Sequence, residues 1–518
     1  MVARVVLERL WRWRLSLTLA FTGGLAAILR FVNLGTPDAL SFDEAYYVRQ
    51  AYSLMHLGYE GRWTGEPDAF VHGDFTGLSL EPDEVAHPLV GKWMISGGMY
   101  LFGPHPFGWR FTAALTGTIT VLLVVLIARH LFKSLLWGGL AGLFLAVDGQ
   151  HIVSSRTGLL DIFITFWVVV AFGFLLLDRR RAKSTLARKA AADRDRLGLG
   201  HADLIPGIGP GLGIRWWRIA AMVSLGLATG VKWSGLYFAA FFLGLSALWD
   251  LVDRRDIGYR HGLLGGVVRS MVPAALLSFI VVPASYLLTW TTWFASDNGY
   301  ARHWAEQHPG EGILWLPAPL RSLAQYQFQL LEFHTRLTKS NGFTHPYASD
   351  PIGWLVQFRP TLFWRSQANG NGQELCGTAN CDSTVTAIGN PLIWWLGTAA
   401  LVYALYRMIA KADMLAATVT IGILAGWLPW FIYGDRLVYT WYTVAFSPWM
   451  VLTAVWFLKR FAQPPRLEGG WSRRGIIVVA GFTAAVLVVS GFFMSWWDGQ
   501  WLPRTYSNFH AWLGHYWI

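Results

Sequence analysis

Apolar runs separated by short polar breaks dominate the chain. Crossing the hydrocarbon core of a bilayer as a helix takes about 20 apolar residues. Eleven windows come near that: 15–34, 109–128, 135–150, 158–177, 216–231, 234–251, 264–290, 389–409, 413–433, 439–458 and 475–495. The pattern predicts an all-α polytopic membrane protein with about 11 transmembrane helices in a single domain, 1–518. Two segments interrupt the rhythm, 35–108 and 291–388. In the first, "AYYVRQAYSLMHLGY" (45–59) and "HPLVGKWMISGGMYLFG" (87–103) have helical periodicity but are too short or too polar to span. They predict helices lying at the membrane surface, aromatic side in the headgroups. In the second, "SLAQYQFQLLEFHTRLT" (322–338) reads as helix, ahead of the Gly/Asn-rich "SQANGNGQELCGTANCD".

Composition agrees with a membrane protein. Only 14% of residues are charged, against about 25% in soluble domains. The placement of charge predicts orientation. Arg4, Arg9, Arg12 and Arg14 precede the first run, which lacks a small-residue cleavage site and so reads as a retained anchor. The loop "DRRRAKSTLARKAAADRDR" (178–196) belongs on the cytoplasmic side by the positive-inside rule. With the N-terminus cytoplasmic and the C-terminus outside, about two thirds of the basic residues fall inside and about two thirds of the acids outside. The net charge of +11 then reflects topology and attraction to anionic lipid headgroups, not nucleic-acid binding. Most of the 30 tryptophans are expected to be interfacial anchors. Both long segments lie outside, and with them Cys376 and Cys381. Their spacing on an oxidising side suggests a small disulfide loop, with two free thiols as the alternative.

The outer face also gathers ionisable residues. Asp43 and Glu44 stand in "FDEAYY", Arg156 and Asp161 in "SSRTGLLD", Lys232 in "GVKWSG" and Arg436 in "YGDRLVYTWY". Ionisable groups at membrane depth line polar sites or pair with one another. Each also has a local reading: a helix start for the acids, a snorkelling arginine, an Arg156–Asp161 pair pinning a turn. Together they suit a substrate with a lipid tail and a phosphate head. The cations take the phosphate, and a carboxylate takes a proton from an incoming hydroxyl. No Gly-rich phosphate loop or Rossmann pattern points to a nucleotide. The acids of "EPDEVAH" (81–87) read as solvated, so no metal and no other cofactor is expected.

Taken in order, these motifs resemble the protein O-mannosyltransferases, most closely their actinobacterial members. "FDEAYY" is similar to the family's Asp-Glu motif in the first outer loop. "HPLVGKWMI" (87–95) resembles its His-Pro-Pro-Leu-Gly-Lys helix, with Leu89 in place of the second proline. "SRTGLLD" (155–161), "GVKWSGLY" (230–237), the arginine of "DRLVY" and "NGFTHPYASDPIGWLVQFRP" (341–360) continue the likeness. The resemblance implies a GT-C glycosyltransferase fold in a bacterial plasma membrane, with the active site on the outer face and no MIR domain. It implies a polyprenyl-phosphate-mannose donor, Ser/Thr acceptors on translocated proteins, and inversion to an α-linked mannose. The secretion channel is a further candidate partner. Asp43 matches the catalytic base, and Glu44 would position acceptor or sugar. Arg156, Asp161, Lys232, Arg436, His87 and Lys92 would serve the donor; His345, Tyr347 and Arg359 are candidates from the second loop. The rivals are a GT-C transferase serving a lipid or lipoglycan acceptor, and a transporter of lipid-linked sugar. A transporter should show inverted repeats and broken helices near the midplane, which the sequence does not.

Overall fold

The computed structural model describes residues 2–464 and 470–517, without the side chains of residues 2–12 and 515; the charges of Arg4, Arg9 and Arg12 therefore lie outside the described residues. Helices α1 (Val2–Phe31), α2 (Glu44–Leu57), α3 (Val90–Phe102), α4 (Pro106–Phe132), α5 (Leu135–Ala146), α6 (Gly149–Ser155) and α7 (Asp161–Leu197) form the first half. Next come α8 (Trp216–Val231), α9 (Gly235–Asp256) and α10 (Gly262–Leu288), the last passing through a π-turn at Val267–Met271. In the second half α11 (Ala318–Arg336) precedes α12 (Pro391–Lys411), α13 (Met414–Trp427), α14 (Ser447–Ala462) and α15 (Arg473–Trp497). The helices expected in the two outer segments are α2, α3 and α11.

Among the described residues, nine helices are long and apolar enough to cross a membrane. Two of the eleven windows are different in kind. Window 135–150 belongs to a pair, α5 and α6, bent by 61°. Asp148 makes the break: its carboxylate caps α6 at the His151 amide and also takes the Asn390 amide and the Trp394 indole N–H. Window 216–231 is the 16-residue α8.

Side-chain caps set three further helix starts. Asn390 accepts from the amides of Leu392 and Ile393, Asp413 from those of Leu415 and Ala416, and Ser472 from that of Gly475. Each satisfies amides that a helix start leaves without partners.

Two expectations change in detail. Ten of the 30 tryptophans, among them Trp109, Trp249, Trp394 and Trp449, are almost wholly buried and pack inside the bundle instead of among headgroups. Lipid gives little hydrophobic drive between helices, which instead associate by close packing at small residues; the Trp449 ring lies 2.0 Å from where a Cβ on Gly422 would be. The outer segments are also not purely helical. Strands β1 (Gly61–Trp63) and β2 (Leu78–Pro82) pair antiparallel. Further on, β3 (Thr361–Asn369), β4 (Asn380–Ala387) and β5 (Trp501–Pro503) form a sheet in that order, also antiparallel. Cys376 and Cys381 are bonded to each other at the tip of the β3–β4 hairpin.

Candidate active site

The site assembles where several helices begin or end. Asp161 opens α7, where the helix dipole favours a carboxylate. Lys232 follows the last turn of α8 with extended backbone, and its Nζ lies 2.7 Å from Asp161 Oδ2. The Lys232 ammonium also sits 5.4 Å from the centre of the Tyr442 ring. Helix α3 is brought alongside by a small residue: a Cβ on Gly91 would stand 2.7 Å from Leu160, at the entry to α7. Together these elements enclose a cavity of about 280 Å³, lined by His87, Asp161, Lys232, His334, Arg436 and Tyr442 with Trp233, Tyr237 and Trp430.

Asp43 stands beside this cavity at the N-cap of α2, partly exposed, with Tyr47 Oη donating to it at 3.3 Å. Burial pushes its carboxyl up to about 6, against the pull of Lys232; Asp161 adds to the rise. The sequence-adjacent acids therefore part company. Glu44 is fully buried, and its oxygens accept from Arg110 Nε and Nη2 at 2.9 and 2.8 Å and from the amides of Ser41 and Gly158. The rest of the Arg110 guanidinium holds the carbonyls of Leu34, Pro37 and Ala39. Glu44 thus clamps the loop that presents Asp43, and its carboxylate faces inward rather than toward a sugar or an acceptor.

Arg156 departs from expectation as well. Its guanidinium donates to the carbonyls of Leu29, Arg30, Val32 and Asn33, closing the C-terminal end of α1, and it pairs neither with Asp161 nor with the cavity. Lys92 is fully buried, bonded to Glu60 at 2.9 Å and to the His87 carbonyl at 2.8 Å, and so braces the turn that carries His87.

Arg436 does reach the cavity. Its Nη2 donates to His334 Nδ1 at 2.9 Å, its guanidinium lies 5.9 Å from the Trp430 ring centre, and its buried Nε has no hydrogen-bond partner among the described residues. Since His334 Nδ1 accepts, its Nε2 carries the proton, which it donates to the Ala86 carbonyl at 2.8 Å. Burial and then Arg436 lower His334 to about 4, which keeps it neutral. His87 stacks on it at 5.3 Å and is likewise held well below its ordinary value by burial and by Lys232.

The second-loop candidates divide. His345 packs edge-on against Phe42 and Tyr439, beside Asp43. Tyr347 neighbours His345 at 5.7 Å. Arg359 donates to the carbonyls of Pro346 and Tyr516 and anchors the loop from behind. The sequence does not single out His334, Tyr47, Tyr442 and Trp430: His334 and Tyr47 lie in α11 and α2, and helical periodicity alone does not tell a lining residue from a packing one.

Residues 319–515 match the family described as the C-terminal four TMM region of protein-O-mannosyltransferase, and residues 85–191 match dolichyl-phosphate-mannose-protein mannosyltransferase. The chain is 37% identical over 474 residues to the polyprenol-phosphate-mannose–protein mannosyltransferase of Mycobacterium tuberculosis (strain H37Rv), covering 90% of this chain and 85% of that protein. It is 35% identical over 517 residues to the protein so named in Mycolicibacterium smegmatis (strain MKD8), covering 98% and 93%. In three dimensions it is similar to the Saccharomyces cerevisiae Pmt1-Pmt2 complex bound to the sugar donor, with a TM-score of 0.68 at 12% identity over 98% of this chain and 93% of that one. At that identity the likeness shows a shared fold.

Proposed function

Because the chain belongs to the protein O-mannosyltransferase family, a family of GT-C membrane glycosyltransferases, we propose that it moves mannose from polyprenyl-phosphate mannose to a Ser or Thr hydroxyl of a translocated protein, with Asp43 as general base. The observation that carries this reading is a partly exposed carboxylate, Asp43, standing beside one cavity that the Lys232–Asp161 pair and Arg436 line. The donor's phosphate lies against Arg436 and Lys232, its mannose toward Asp43, its polyprenyl tail among the helices. The acceptor oxygen attacks the anomeric carbon from the face opposite the phosphate. The bond to the phosphate oxygen breaks with its electron pair passing to the lipid phosphate, and the hydroxyl proton passes to Asp43. A β-linked donor thereby gives an α-linked product.

Two features of the site favour that course. Arg436 keeps a buried Nε free to donate, and a cation that binds the leaving phosphate more tightly as charge develops lowers the barrier. A carboxyl near 6 is ionised at neutral pH yet basic enough to share a proton in the transition state. His334 and His87, held neutral, pack and orient Arg436 without adding charge. The acceptor arrives from outside, in extended form from the secretion channel, and meets the site beside Phe42, His345 and Tyr439.

The test incubates purified protein with polyprenyl-phosphate mannose and a Thr-rich peptide and looks for a hexose mass increment. No increment on the peptide, with transfer to a lipid acceptor instead, would overturn the protein-acceptor reading.

A further inference from the structure

A second cleft, larger than the catalytic cavity, encloses about 960 Å³ between α1, α4, α5 and α7. Aliphatic side chains wall it, with Leu126, Val169 and Leu177 flanking Gly173. Its mouth carries Arg14, Arg129, His130, Lys133 and Arg180, and no Asp or Glu is among the described residues that line it. Asp178, two residues before Arg180, is held by Arg215 and Arg218 instead.

Helix geometry fixes the depth of this mouth. Arg180 lies 19 residues along α7 from Asp161, and Arg129 lies 19 residues along α4 from Arg110, the partner of Glu44. At 1.5 Å per residue both are about 28 Å from the catalytic end, close to the thickness of a hydrocarbon core. The basic mouth therefore sits at headgroup level in the leaflet facing away from the catalytic cavity. Topology alone accounts for cations at that level, but not for an apolar cleft of ligand size directly beneath them. Lys133 adds a second sign. It occupies the two-residue turn between α4 and α5 at φ 52°, a left-handed conformation that glycine or asparagine adopts at lower cost. The residue kept there is a lysine that lines the mouth.

We propose that this cleft binds an anionic phospholipid of the leaflet opposite the active site, its phosphate among Arg129, Lys133 and Arg180 and an acyl chain against the wall at Gly173. A phosphate at this depth is a hydrocarbon thickness from Asp43 and Arg436, so the occupant is not the reacting donor. The phospholipid wedges α1 against α4 and α7, the helices that carry Arg156's carbonyl partners, Arg110 and Asp161.

The experiment extracts the whole protein from phosphatidylcholine bilayers with and without phosphatidylglycerol and weighs it with retained lipid by native mass spectrometry. The wild type retains phosphatidylglycerol over phosphatidylcholine by about tenfold or more, a difference of about 1.4 kcal/mol. The combined Arg129→Gln, Lys133→Gln, Arg180→Gln variant loses that preference. Gly173→Leu loses the retained lipid altogether while staying folded, because a Cβ there meets only Ile127 Cδ1, at 4.0 Å, and its side chain enters the cleft. Equal retention of the two lipids by the wild type, or undiminished phosphatidylglycerol on both variants, would overturn the proposal. So would displacement of the phosphatidylglycerol by an equimolar polyprenyl phosphate.

Discussion

Asp43 and Glu44 are neighbours with unlike environments, and their substitutions should fail in unlike ways. Asp43→Asn keeps the shape of the site and removes its base. We expect kcat to fall about 10²–10⁴-fold, the usual worth of general base catalysis, with donor affinity retained in a direct binding assay; loss of donor binding alone would contradict the base role. The pH dependence follows from the raised carboxyl. The ionised form is the active one, so kcat/KM holds above about 6 and drops tenfold per pH unit below it, and Asp43→Asn abolishes that limb. Glu44→Ala acts on the fold, because it leaves the Arg110 guanidinium buried and unpaired. Breaking a buried pair in this way costs about 3–5 kcal/mol, visible as a lowered Tm in detergent. The acid pair itself was legible in the sequence. Its division of labour was not, because Arg110 stands 66 residues from Glu44 and looks there like one more charge at a helix start.

At the scale of elements, the basic residues sort by which helix end they serve. Arg156 stands at a motif position and spends its donors on the last carbonyls of α1, whereas Arg436 comes from a turn and aims at the cavity. Arg436→Ala should raise the donor Kd by tenfold or more, about 1.4 kcal/mol or above, with little change in Tm; unchanged affinity in calorimetry would remove it from the site. Arg156→Ala should do the reverse. Apolar length found the spanning helices, and the three-to-four-residue repeat of one-sided burial found α2, α3 and α11 in the outer segments. It missed the β3–β4 hairpin, since the Gly/Asn-rich turn and the disulfide loop hid a strand pair whose inner residues, such as Thr361 and Phe363, alternate only briefly. Sequence patterns report local period, and which helix end meets which loop is a property of the packed bundle.

For the whole molecule, charge supplies the argument for direction across the membrane. Helix α7 runs 37 residues, about 55 Å at 1.5 Å per residue, well beyond a hydrocarbon core of about 30 Å. Its first half is apolar and largely buried, while its second half, from Arg179 to Arg196, projects as a mostly exposed basic rod. Asp161 and the catalytic cavity stand at the opposite end of the same helix. Translocating that rod would carry a dense block of Arg and Lys outward, against the positive-inside rule, so we propose a cytoplasmic rod and a cavity that opens outside. Single cysteines placed in a Cys376→Ser, Cys381→Ser background check this directly, at two exposed positions. Asn371→Cys, on the β3–β4 turn, should react with a membrane-impermeant maleimide on intact cells. Ser184→Cys, on the basic rod, should react only after the membrane is permeabilised. The opposite pattern would put Asp43 on the cytoplasmic side, where no translocated hydroxyl could reach it, and the assignment of acceptor would fail with it.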